Sequence, residues 1–526
     1  MSQHHLNRRE WLGAGAALGL GSMGLAGCAT PGAQGITGAT GDKPIATVAQ
    51  GQLQGTRAGD VLAFKRVPYA ANPFLPANRF KAPQPMPVWS GVRDATKAGP
   101  LVPQPSRARG GGYAGEPDDL TMNIWVPVNA RNAPVMVWFS GGAFYRVDAS
   151  SEWSDGTAYA KEGVVVVSVN FRVGIDGFMS IDGVPSNRAY LDKVAALKWV
   201  AQNIGAFGGN PGDVTMAGQS SGAQGVLGVM GMPAAKGLFH KVIAQSPSSA
   251  YSNPADAKRI AAETAKVLGV EPTAQALAAV PLPALIAGVE KMIVDLGDMN
   301  KWGALGGVPP FLPILDGSVV TQGPVSAVRL NAPQGIPLLV GSTEEEARLY
   351  TVPSGAIDRV TPQQMEGALR GANLPANAEA VYRQARPNAT PGDMTAALRS
   401  DRTFRIPAVR HAETRVKGNS PVWHYHFAWS SPAFNGRLGS AHVVDVPYVF
   451  NTLKTNQAKP FMGGAADQAL ADKMQGHWLR FIKTGNPGWE RYDLSKRPTM
   501  RFDTTSAVVS DPMSDRRLLW ADKTFN

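Results

Sequence analysis

Residues 207–222 constrain this chain more than any other stretch. They read Phe-Gly-Gly-Asn-Pro-Gly-Asp-Val-Thr-Met-Ala-Gly-Gln-Ser-Ser-Gly. A short apolar run, residues 214–217, leads into Gly218-Gln219-Ser220-Ser221-Gly222, and a small-residue stretch compatible with a helix follows to Met230. Strand, sharp turn and helix is the order that a Gly-x-Ser-x-Gly nucleophile elbow requires. Its glycines leave room for a strained turn that lifts the Ser220 hydroxyl clear of a sheet. The pentapeptide alone also suits a surface loop, so the partners of a reactive serine must be sought elsewhere in the chain.

A chain of 526 residues can hold one large α/β domain or two to three smaller ones. Its 44% hydrophobic and 17% charged residues place it among globular proteins. Glycine and proline are abundant (58 and 41) but aperiodic, and so mark loops. The net charge of +11 is spread out, with no dense Lys/Arg run and no interleaved aromatics. That pattern argues against a nucleic-acid partner, while a basic surface suits anionic lipid or acidic substrates.

The first 28 residues read as a targeting segment. Arg8-Arg9 is a twin-arginine pair, and residues 12–25 are uncharged and mostly Gly, Ala and Leu. They are too short and glycine-rich for a membrane span of about 20 apolar residues. Leu25-Ala26-Gly27-Cys28 closes the segment. It resembles a bacterial lipoprotein signal, in which cleavage before Cys28 leaves that thiol to carry lipid. An ordinary secretory signal with an incidental cysteine is the plainer alternative, and twin-arginine export is a further expectation. The expected products are a signal peptide over 1–27, a lipidated Cys28 and a flexible tether to residue 44. The mature protein is then exported to the periplasm or cell envelope, with a membrane as partner through the anchor. Cys28 is the only cysteine, which excludes an intrachain disulfide and a multi-cysteine metal site.

From residue 45 the pattern turns β. Residues 47–56 and 61–68 read as a hairpin, and 120–126 as a strand. Residues 135–139 and 164–170 are apolar, Val-rich runs without alternation, as a sheet buried on both faces demands. A helix is expected over 191–204, then the elbow strand, then strands at 241–246, 336–340 and 422–429, and a last helix over 467–484. Strands alternating with helices predict an α/β fold with a mostly parallel, doubly wound sheet. Helix-like segments near 250–330 and 350–440 read as insertions over its C-terminal edge, in a single domain spanning 45–526.

A serine hydroxyl needs a base within hydrogen-bond reach and a third group to orient that base. His4 and His5 fall in the signal. His424 and His426 share one face of a strand, where a lining or buried pair is the main reading and a metal pair the alternative. His240 and His477 sit in amphipathic surroundings, and His411 in a helical insertion. His442 differs: Gly439-Ser440-Ala441-His442 is a small-residue loop after the last sheet strands, where this architecture places its base. The orienting acid belongs between nucleophile and base in chain order. Glu344, Glu345 and Glu346 all leave the strand ending at Val340, and residue types alone do not choose among them.

Residues 207–222 resemble the serine signature of the type-B carboxylesterases, the family of cholinesterases and bacterial para-nitrobenzyl esterases, with Met216 where a branched aliphatic is usual. A second family signature is matched by Asp118, Leu120 and Asn123. It departs at Pro117, and at Asp119, which replaces a cysteine that forms a disulfide in many relatives. Pro68-Tyr69-Ala70, Arg79-Phe80, residues 170–174 and 197–200, Gln245-Ser246 and Trp478 are similar too. The resemblance runs from about Val48 to the end.

It implies an α/β-hydrolase fold and a serine carboxylesterase without cofactor or metal, acting on a small-molecule ester. Ser220 becomes the nucleophile, Glu346 the acid and His442 the base, although Val443 replaces the usual glycine. Ser221, directly after the nucleophile, is an oxyanion donor by its place in the elbow. The family's loop of consecutive glycines puts the other donors at Gly142 and Ala143, with Ser140 where His or Tyr is usual. Such a loop goes with an open alcohol pocket and tolerance of bulky alcohols. Amide, carbamate or polyester cleavage and acyl transfer are alternatives on the same machinery, and a non-catalytic surface protein is a more distant one. Gln219, where relatives usually carry Glu, has no explanation at this level.

Overall fold

A computed structural model describes residues 35–523, apart from 109, 110, 324 and 326–331. The signal segment, Cys28 and the first part of the tether lie outside the described residues. An eleven-stranded sheet runs through the protein. Its strands in chain order are β1 (Thr56–Ala58), β2 (Val61–Ala70), β3 (Leu120–Pro127), β4 (Ala133–Phe139), β5 (Val165–Val169), β6 (Gly209–Gln219), β7 (Lys241–Gln245), β8 (Leu338–Thr343), β9 (Val422–Phe427), β10 (Pro498–Phe502) and β11 (Ala507–Ser510). They lie side by side as β11-β10-β9-β8-β7-β6-β4-β5-β3-β2-β1. From β10 across to β5 every neighbouring pair is parallel, and the pairs at both margins are antiparallel.

The parallel centre forms where the sequence is apolar on both faces. Successive side chains point to opposite sides of a strand. Val135, Val137 and Phe139 of β4 therefore join one core with Val194 and Leu197 of α1 (Arg188–Asn203) and Val226 and Leu227 of α2 (Ser221–Met230). Met136 and Trp138 join the other core, with Trp478, Phe481 and Ile482 of α3 (Gln468–Thr484). Each such aliphatic or aromatic side chain contributes roughly 1.5–3 kcal/mol on leaving water.

Two expectations are corrected. The stretch read as one strand over 47–56 is three pieces. Ile45–Val48 and Gly51–Gln54 pair in a separate small sheet with Val92–Asp94, and only β1 pairs with β2. A Cβ on Gly55 would meet the Phe64 ring at 2.8 Å, which is why a glycine stands at the break between the two sheets. Strands β10 and β11 were not expected; β11 is a short edge with exposed Ala507, Val508 and Ser510 and lacks a buried face to betray it. The insertions are helical as read: Pro254–Leu268, Ala274–Ala279 and Leu282–Asp295 in the first, and Pro362–Ala372, Ala378–Ala385, Pro391–Ser400 and Ile406–Lys417 in the second. A π-helical turn, Asp401–Arg405, joins the last two. No helix among the described residues is long and apolar enough to cross a membrane.

Candidate active site

The carboxyl ends of β4, β6 and β8 open on one edge of the sheet, where ligands bind in such folds. The chain leaves β6 at Gln219 and enters α2 at Ser221, so Ser220 alone makes the turn. It holds φ 57° and ψ −128°, outside the regions open to a residue with a side chain. Its N–H donates to the Gln245 carbonyl at 2.9 Å, which anchors the turn to β7. The flanking glycines are steric necessities. A Cβ on Gly218 would lie 2.8 Å from the carbonyl carbon of Gly222, and one on Gly222 would press into the Phe139 carbonyl at the end of β4.

The run of three acids separates into three roles. Glu344 faces His426 at 3.5 Å with Arg386 and Arg501 nearby; against the upward push of burial, these partners hold it down at about 2. Glu345 takes Arg386 at 2.8 Å, Arg348 at 3.1 Å and the Ser440 N–H at 3.1 Å. Glu346 alone of the three meets His442 itself. Its Oε1 accepts the Thr343 N–H at 2.8 Å, its Oε2 is hydrogen-bonded to His442 Nδ1, and its backbone carbonyl accepts the His442 N–H at 3.1 Å. Both side chains are buried.

With Nδ1 committed to the carboxylate, Nε2 of the neutral ring is an acceptor. The Gln219 amide engages it at 3.2 Å, and no hydrogen bond joins it to Ser220. Such contacts are often loose before substrate binds. Phe404, on the π-helical turn, lies 4.4 Å from the His442 ring, and Tyr350 stacks parallel to Phe404 at 6.5 Å. Behind the acid, Asp445 accepts from Gln245 at 3.0 Å and from Tyr425 at 3.1 Å. Burial, with Glu346 close by, pushes the Asp445 carboxyl up to about 6.

The expected oxyanion donors occupy the loop after β4. Ala143 has φ 52°, and its N–H meets no acceptor among the described residues. The N–H of Ser221 is one of those a helix leaves open at its first turn. Gly142 departs from expectation, because its N–H already donates to the Ser221 hydroxyl at 3.0 Å. The loop is held against the elbow by that bond, and Gly142 is fixed at φ 152° with no room for a Cβ beside the Arg146 carbonyl.

Two chambers meet at Ser220. The larger, of 530 Å³, is lined by His442, Gln219, Trp138, Trp153 and the loop from Ser140 to Arg146. The smaller, of 240 Å³, is lined by Ser221, Ile293, Val308, Leu312, Arg399 and Phe404, and His442 does not reach it. The remaining histidines stand elsewhere. His411 and His424 are held neutral, pushed down to about 3 by burial, and His424 Nδ1 meets Thr499 at 3.2 Å. His240 and His477 bond to the backbone at Val214 and Pro487. No group of three or more His, Cys, Asp or Glu among the described residues is placed to hold a metal ion.

Residues 42–518 match the profile of the Carboxylesterase family. The chain belongs to that family. It is 33% identical to the para-nitrobenzyl esterase of Bacillus subtilis (strain 168) over 496 residues, which cover 90% of this chain and 97% of that protein. It is 30% identical to the phenmedipham hydrolase of Pseudarthrobacter oxydans, over 89% of this chain and 95% of the other. A Geobacillus stearothermophilus carboxylesterase superposes with a TM-score of 0.80 at 31% identity, over 90% of this chain and 99% of that one. The α/β-hydrolase fold and carboxylic ester hydrolysis follow for this chain.

Within this carboxylesterase the contacts of Gln219, Phe404, Tyr350 and Asp445 were not foreseen. Only Asp445, three residues after His442, lies close to the histidine in sequence. Gln219 has a direct consequence. A carboxylate there would favour the protonated imidazole, and a base that keeps its proton to higher pH loses activity sooner as pH falls. In Gln219→Glu the acid limb of kcat/KM is expected at higher pH than in the wild type. Coincident limbs in the two pH–rate profiles would detach Gln219 from the protonation of His442.

Proposed function

We propose that this carboxylesterase works through an acyl-enzyme formed on Ser220, with His442 as base, Glu346 as the acid that orients it, and Ala143, Ser221 and Gly142 as oxyanion donors. The observation that carries the reading is the hydrogen bond that His442 Nδ1 donates to Glu346, which leaves Nε2 as the acceptor on the wall of the chamber that Ser220 enters. Nε2 exchanges its Gln219 contact for the Ser220 proton as Oγ attacks the ester carbonyl. The open N–H groups of Ala143 and Ser221 take the developing negative oxygen, and Gly142 joins them if the Ser221 hydroxyl gives way. Nε2 then hands its proton to the departing alkoxide, so the alcohol leaves into the larger chamber, which His442 lines. The acyl group stays behind, in the smaller one. Water activated by the same nitrogen frees the acid.

The same proposal places the mature protein on the cell envelope through a lipid on Cys28. The twin arginines, the short apolar stretch and the single cysteine support it. One experiment tests both parts. Cells producing the full chain are labelled with a fluorophosphonate and fractionated. The label is expected in the membrane fraction on the peptide that holds Ser220, and in the soluble fraction for Cys28→Ala. Label on another residue would sink the nucleophile assignment, and an unchanged distribution in Cys28→Ala would sink the anchor.

A further inference from the structure

We propose that the smaller chamber selects acyl chains bearing a distal carboxylate, with Arg399 as the group that binds it; this deepens the reading of Ser220 as nucleophile and rests on it. The chamber's wall is apolar at Ile293, Val308, Leu312 and Phe404, and no carboxylate among the described residues lines it. Arg399, on Pro391–Ser400, is its only cationic residue among the described ones. Its side chain is exposed, and its guanidinium lies 5.2 Å over the Tyr350 ring. Tyr350 is itself stacked on Phe404, which lies against His442. A file of rings thus ties the cation to the catalytic base.

Nothing among the described residues neutralises that charge. Arg399 forms no ion pair there, and the carboxylate on its own helix and the one just before Glu346 are engaged already. Asp393 is taken by Arg348 at 3.2 Å and Glu345 by Arg386 at 2.8 Å. The larger chamber is different, since Arg107 and Arg146 share it with Asp148. A guanidinium resting on an aromatic face keeps its in-plane N–H donors available, and a carboxylate is the acceptor that fits them two at a time. Thr403 adds a hydroxyl to the lining of the same chamber. The apolar lining of the chamber that Ser220 and Arg399 share suits a methylene spacer. The acyl class is therefore the half-ester of an aliphatic dicarboxylic acid.

The test uses the purified full chain and two series of ethyl esters matched in length: alkanoates from butanoate to octanoate, and half-esters of the corresponding dicarboxylic acids. Ethanol release gives kcat/KM for each. The ratio of half-ester to neutral ester is expected to peak at one chain length in the wild type. In Arg399→Gln that ratio should fall about two- to fivefold at the peak, and Arg399→Lys should recover part of it. Added salt at about 0.5 M should erode the wild-type preference, since an exposed pair is screened. The proposal is overturned if Arg399→Gln hydrolyses neutral esters and leaves the ratio where it was. If the wild type cleaves neither series and takes no fluorophosphonate on Ser220, it is the nucleophile assignment that fails, and the chamber proposal falls with it.

Discussion

Ser220→Gly is expected to lose about a millionfold in kcat and, at the same time, to gain stability. The loss follows from removing the attacking oxygen, and knocking out the serine of such a unit costs about as much as removing the whole unit. The gain follows from the backbone. Ser220 sits at φ 57° and ψ −128°, a conformation that costs a residue with a side chain about 1–3 kcal/mol. Glycine adopts it freely but adds about 0.5–1 kcal/mol of chain entropy to the unfolded state. The hydroxyl takes part in no hydrogen bond among the described residues, so no such bond is lost. A net gain of about 1–2 kcal/mol should appear as a higher urea midpoint with an unchanged slope. Ser220→Ala keeps the strained backbone and should show the loss without the gain. A glycine variant no more stable than the alanine variant would refute strain at the elbow.

Glu346→Gln should cost about 10⁴-fold in kcat near neutral pH while leaving KM close to its original value. The carboxylate is wholly buried, with the Thr343 N–H on one oxygen and His442 Nδ1 on the other. The Thr343 donor keeps the amide oxygen of a glutamine on its own side and so turns the NH₂ toward Nδ1. That nitrogen must then accept, the proton moves to Nε2, and the ring can no longer take a proton from Ser220. Glu345→Gln is the matched control, since Glu345 binds arginines and a loop N–H instead. A fall confined to a few fold in Glu346→Gln would remove the carboxylate from the mechanism.

The parallel centre of the sheet was legible because its chemistry is local. Val-rich runs such as β4 and β5 have no polar side to hide, and the Gly-x-Ser-x-Gly turn carries its steric reason in five residues. The acid was not legible from residue types, because Glu344, Glu345 and Glu346 differ only in where each points after β8. That direction is settled by Arg348 close by and, far along the chain, by Arg386 and His442. Gln219 was opaque for the same cause: its partner His442 stands 223 residues away. The margins of the sheet failed for another reason. Strands as short as β1 and β11, with exposed or half-buried faces, leave no period to read.

The two chambers are built from different parts of the chain. The walls of the larger one come mostly from segments that leave the sheet itself, around Trp138 to Ser154 and at His442, whereas Ile293, Val308, Leu312 and Arg399 of the smaller one all ride on the two inserted segments. Acid preference and alcohol preference are thus written in separable stretches of the gene. Chimaeras that trade the inserts between relatives should exchange the first trait and inherit the second, so one scaffold can diversify along two independent axes.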